Sequence, residues 1–145
     1  MLIGIPSLLS PELLKVLMEM GHGDEIVLAD GNFPSASMAN RLIRLDGHGV
    51  PPVLDAILRF FPLDSFVDEP VAFMAVTPGV DYVPEIQDDY REIIKNRAGD
   101  TGIDEMERFA FYERAKLAYA IVATGETARY ANVILKKGVV VEDTE

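Results

Sequence analysis

Val71 to Thr77 is apolar at six of its seven positions and stops at Pro78-Gly79. A strand with one wet face alternates apolar and polar residues, whereas a strand without that alternation is covered on both faces. The run therefore demands a sheet held between helices, and the rest of the chain supplies both. Glu25 to Asp30, Ala118 to Thr124 and Asn132 to Lys136 are further short strand-like runs, and Arg41 to Asp46 alternates as a half-buried strand does. Leu13, Leu14, Leu17, Met18 and Met20 form a stripe at helical spacing. Ser10-Pro11-Glu12 opens that helix with an N-cap, a first-turn proline and a dipole-matched acid. Gly21 occupies the C′ position at which it ends. Gly31-Asn32-Phe33-Pro34 reads as a loop and Gly47 to Pro52 as a turn. Val53 to Phe61, Pro84 to Asn96 and Phe109 to Leu117 read as helices, with a polar loop over Ala98 to Glu107. Strands alternating with helices predict an α/β fold, a single three-layer α/β/α domain over residues 1–145 with a mixed, mainly parallel sheet. The last two strands, joined through Gly125-Glu126-Thr127, are close enough to pair as a hairpin.

Composition narrows the function. At 145 residues and 49% apolar, the chain can bury a core and is not disordered. Its net charge of −11 is unsuited to a nucleic-acid backbone, which needs a basic face. No polybasic cluster invites an anionic membrane, and no apolar run reaches spanning length. There is no cysteine, hence no disulfide framework and no thiolate zinc site, as suits a cytoplasmic protein. The N-terminal Met-Leu-Ile-Gly-Ile-Pro lacks the basic region of a signal peptide.

The candidate chemistry centres on Gly21-His22-Gly23-Asp24 and Asp30. His22, one of two histidines, sits at a helix-to-strand turn, and Asp30 at the strand's end. An imidazole titrates near neutrality and suits a general acid or base, and a helix C-terminus with Asp24 nearby favours its proton-donating form. The plainer alternative is a histidine that caps the helix. Asp30 can accept two or more hydrogen bonds from hydroxyls, or merely close a turn. Metal binding by His22, Asp24 and Asp30 has little support. Arg108, at a helix start, can donate to a ligand. Tyr130 and Asn132, two apart, share a face if they lie in a strand, and a phenol beside a carboxamide suits hydroxyl recognition. The acidic runs at 85–92 and 104–107 read as solvated faces.

Three stretches carry a wider resemblance. They are Met20-Gly21-His22-Gly23-Asp24-Glu25, Arg108-Phe109-Ala110-Phe111-Tyr112-Glu113-Arg114-Ala115, and Thr124-Gly125-Glu126 with Tyr130-Ala131-Asn132. Together they resemble the ribose-pyranase and fucose-mutarotase family over nearly the whole chain, and the second stretch is typical of its fucose branch. The resemblance implies an isomerase without a cofactor or metal that interconverts the α and β anomers of a monosaccharide. It assigns His22 as general acid, with Asp30, Arg108, Tyr130 and Asn132 at the sugar; Ala131, between the last two, is counted with them, and Tyr130 is the candidate for a second proton-transfer group because a phenol can relay a proton. It also implies a homo-oligomer, commonly a ring of ten, with sites near subunit interfaces. Gly31-Asn32 stands where the fucose branch commonly has Ala-His, and Ala131 where it commonly has Gly, as in the ribose branch. A ribose-type pyranase and a non-catalytic sugar-binding or transport-accessory protein are the competing readings. A titrating histidine favours the enzyme.

Overall fold

The computed structural model describes residues 1–142, so the expected domain limit at Glu145 lies outside the described residues. The chain runs α1 (Pro11–Glu19), β1 (Glu25–Ala29), α2 (Ser35–Met38), β2 (Leu42–Leu45), α3 (Val50–Leu58) and β3 (Val71–Met74). It continues through α4 (Glu85–Ala98), β4 (Ile103–Met106), α5 (Arg108–Leu117), β5 (Ala120–Thr124) and β6 (Val133–Lys136). The six strands form one sheet in the order β2-β5-β1-β6-β3-β4. β2, β5 and β1 are parallel, as are β3 and β4, and β6 alone runs against its two neighbours, β1 and β3.

Alternate strand residues feed two separate cores. Ile26, Leu28, Val71, Phe73, Val122, Val133 and Leu135 face α1, α3 and α4. Val27, Ala29, Ala72, Met74, Ile121 and Ile134 face Phe33 before α2 and Phe111 and Ala115 of α5. That division makes the three expected layers, and it explains why β3 has no polar alternation: all four of its residues are buried.

Several local expectations are corrected. β5 and β6 are not a hairpin, because β1 lies between them. The segment between Thr124 and Val133 crosses the end of β1 and lets both its edges be paired. The polar loop over Ala98 to Glu107 contains β4, an edge strand whose acids Asp104 and Glu105 hide it; charge is how edges avoid further pairing. α3 starts at Val50, since Pro51 and Pro52 fit a first helical turn. The four residues of α2 are too few to show a period. α1 is capped as expected, with Leu13 N–H donating to Ser10 Oγ at 3.2 Å. Its C-cap is Met20, which leaves Gly21 at C′, but the left-handed residue is Gly23, at φ 87°.

The Thr124-Gly125-Glu126 stretch is structural. Thr124 Oγ1 donates to Ala29 O at 2.7 Å, tying β5 to the end of β1. Glu126 accepts the Val50 N–H at 3.1 Å, capping α3 from outside its own segment, and also the Thr127 and Ala128 N–H groups. Gly125 leaves no room for a side chain: a Cβ there would stand 2.1 Å from Asp46 O.

Candidate active site

Four of the expected residues meet at one place. Asp30, Arg108, Tyr130 and Asn132 line a cavity of about 300 Å³ together with Asn32, Phe33, Met74, Tyr112 and Arg129. Its position follows from topology. β1, β3 and β4 all end here, and antiparallel β6 begins here, so side chains just past the parallel strands face the residue just before β6. Clefts at the carboxyl ends of strands are the usual ligand sites of such sheets. The volume lies at the small end of ligand pockets, which run roughly 300–1,000 Å³.

Asp30 is buried, and its backbone N–H donates to Asn132 Oδ1 at 2.8 Å. Its carboxylate accepts the Asn32 N–H at 3.0 Å. Burial pushes the Asp30 carboxyl above its ordinary range, while the neighbouring N–H groups of Asn32, Ala131 and Phe33 oppose that. Asn132 thus spends its oxygen on the Asp30 backbone, and its NH₂ is the group available to a ligand. Arg108 opens α5 behind Glu107, whose carboxylate accepts the Ala110 N–H at 3.0 Å. Arg108 forms no ion pair among the described residues, and its guanidinium lies 4.6 Å from the Phe109 ring centre.

Tyr130 is not in a strand, so the shared-face argument for Tyr130 and Asn132 fails although both reach the cavity. Tyr130 sits in a turn at φ 55°, the one non-glycine residue with positive φ among those described. Its phenol oxygen accepts the Thr77 N–H at 3.3 Å, which draws its pKa below the ordinary phenol value. That bond leaves the phenol proton free to be given up. Ala131, expected at the sugar, is fully buried in the core beneath α4 and does not line the cavity. Phe33 and Tyr112, with ring centres 5.5 Å apart, and Met74 make an apolar wall that the sequence reading did not assign to the site.

His22 is elsewhere. It precedes β1, whereas Asp30 follows it, and five strand residues separate the two by ~20 Å with the flanking turns. Within one chain His22 therefore does not face Asp30. Its partner is Asp64, 42 residues on: Nε2 stands 3.0 Å from Oδ1. Asp64 is buried, and the Phe66 N–H, then His22, hold its carboxyl below the usual range. An ionised carboxylate only accepts, so Nε2 carries the hydrogen of this contact. Asp24, expected to act on His22, instead accepts the Gly21 N–H at 2.7 Å. The last carbonyls of α1, Leu17 and Met20, accept from Lys137 Nζ, so a fixed cation already meets the dipole expected to favour charged His22. Half-exposed His22 is ringed by Phe66, 5.3 Å away and largely exposed, and by Asp64. Sequence gave no cue to Asp64 beyond an Asx turn in Asp64-Ser65-Phe66, seen here as the 3.1 Å bond from Phe66 N–H. Among the described residues, no three His, Asp or Glu side chains converge as a metal site.

The chain therefore places a polar cavity and an oriented histidine at opposite ends of the central strand β1. Known proteins with the same architecture are close. The fucose mutarotase of Streptococcus pneumoniae, solved in complex with L-fucose, superposes with a TM-score of 0.93 at 60% identity, covering 97% of this chain and 100% of that one. The L-fucose mutarotase of Actinobacillus pleuropneumoniae is 51% identical over 140 residues, 96% of this chain and 97% of the relative. The human fucose mutarotase is 50% identical over 143 residues, 94% of this chain and 92% of the relative. The family model for the RbsD / FucU transport protein family matches residues 3–140. With this fold, this cavity and that span of similarity, the chain belongs to the RbsD / FucU family.

Proposed function

We propose that the chain is a sugar mutarotase that interconverts the α and β anomers of L-fucose or a close relative. The carrying observation is the cavity in which a buried carboxylate, a free guanidinium, a carboxamide and a phenol converge on space for one small polyol. Relatives of half its sequence or more are named for that activity, and one holds L-fucose.

The reaction moves protons only. One group takes the proton of the anomeric hydroxyl as the bond from the anomeric carbon to the ring oxygen breaks, and another protonates that oxygen. The open-chain aldehyde rotates, and closure on the other face reverses both transfers. Tyr130 and His22 are the proposed proton-transfer pair, with Asp30, Arg108 and Asn132 holding hydroxyls. Nothing is oxidised or reduced, so the proposal assigns no cofactor. Because His22 and the cavity lie at opposite ends of β1, the proposal includes a homo-oligomer in which a second copy brings His22 to the cavity of the first, in keeping with a ring. It also places the protein in the cytoplasm; no described helix is long and apolar enough to cross a membrane.

Saturation-transfer NMR on anomeric protons tests the activity. Exchange of L-fucose is expected to exceed the buffer rate, and D-ribose, D-galactose and L-rhamnose rank the specificity. Buffer-rate exchange for all four would leave the non-catalytic sugar-binding reading.

A further inference from the structure

α4 contributes nothing to the cavity lining, yet it holds the backbone at and just after the proposed proton-transfer phenol. Gln87, buried, donates from Nε2 to the Tyr130 carbonyl at 3.0 Å and to the Met74 carbonyl at 3.0 Å. Tyr90, fully buried, donates its hydroxyl to the Ala131 carbonyl at 2.8 Å. The two are three apart on one helix and so lie on one face. They hold two consecutive carbonyls of the turn in which Tyr130 takes a left-handed conformation that L-residues avoid. The next residue is held as well, through Asn132 and the Asp30 N–H.

We propose that Gln87 and Tyr90 are positioning residues for the anomer exchange: they fix the Tyr130 turn from behind and so aim its phenol at the substrate. The inference rests on the proposed function. A helix packed on the sheet needs apolar contacts, and Tyr90 makes one with Phe73 at 5.8 Å. Packing does not require a buried amide whose two hydrogens both go to carbonyls, one of them in a strained turn. Burial pushes the Tyr90 hydroxyl upward and keeps it a donor at any working pH. With the turn released, the phenol would leave the Thr77 N–H, a contact already at 3.3 Å.

The test uses Y90F, which keeps the ring, and Q87M, which keeps the length, each alone and with Y130F. Two readouts are taken: kcat and KM for exchange, and the pH titration of the Tyr130 Cζ resonance in ¹³C-tyrosine protein, assigned by its loss in Y130F. Each single variant is expected to lose at least ~10-fold in kcat with KM within ~2-fold, since only the transition state feels the misplaced phenol. In the Y130F background the same changes should cost less than ~2-fold; in the single variants, which keep the phenol, the Tyr130 titration should move upward. Equal losses in both backgrounds, or an unmoved Tyr130 resonance in the folded variants, would overturn the proposal. The resonance needs no turnover, so a wild type that fails to exchange sugars defeats the function while this readout still decides the clamp.

Discussion

Asp30 carries opposing demands in one side chain. Its folded pKa is raised by burial, so folding favours the neutral form. The sign follows: that contribution to stability is present below the unfolded pKa and lost as pH rises through the folded one. At neutral pH the ionised Asp30 is therefore a strain on the fold. Asp30→Asn keeps an oxygen for the Asn32 N–H and removes the charge. It is expected to melt a few degrees higher at pH 7 while losing most exchange activity, with the melting gap closing below about pH 4. Calorimetry across pH reads this directly. His22 behaves differently because it is half exposed. His22→Gln should cost at least ~10²-fold in exchange with melting and sugar affinity nearly intact, whereas a mere helix cap would show the reverse. Asp64→Asn should cost ~10-fold or more by freeing the tautomer. At this scale the sequence was informative about chemistry and silent about partners. Asp30, Arg108, Tyr130 and Asn132 stood out by types that suit hydroxyl binding, and the structure brings them to one cavity; His22 stood out by its imidazole, and the structure places it at the other end of β1. Asp64 did not, because its role exists only through a contact spanning 42 residues.

Elements with strong patterns were legible, and those shaped by their neighbours were not. β3 and α4 announce themselves by apolar continuity and by dipole-matched charge. β4 does not, since an edge strand is allowed to be acidic. The β5–β6 hairpin failed because proximity in sequence says nothing of a third strand that completes both edges between them. The same crossing explains Gly125 and Glu126, which lock it to α3 and to the end of β2. Glu126→Ala is expected to lose about 1 kcal/mol, the usual worth of an N-cap, with exchange per folded molecule unchanged. Gly125→Ala should lose more, because its Cβ meets backbone at 2.1 Å rather than a side chain that can move. Urea melts of both variants, compared with their activity, check the pair.

For the whole molecule, the separation of His22 from the cavity makes a prediction that a monomeric enzyme cannot satisfy. His22→Gln and Asp30→Asn are each expected to be inactive alone. Co-folded in equal amounts, they should recover about a quarter of wild-type exchange, because about one interface in four then joins an intact histidine to an intact cavity. If the mixture stays as inactive as its parts, His22 and Asp30 do not share a site across copies. A net charge of −11 on each copy sets copies against one another at low salt. Added salt should therefore favour assembly, and specific activity should fall on dilution; both are visible by light scattering run beside the assay.

β6 ties these scales together. Its first end adjoins Asn132 at the cavity. Its other end delivers Lys136, whose carbonyl accepts the Asp64 N–H, and Lys137, whose carbonyl accepts the Gly23 N–H beside His22. Four residues of strand thus form the rod between the cavity and the surroundings of His22. In an assembly of the proposed kind, such a rod makes every copy a link with a hook at each end. A disturbance at one sugar would then reach the next through the stiffest part of the protein, and the spacing between neighbouring sites would be fixed by the length of a strand.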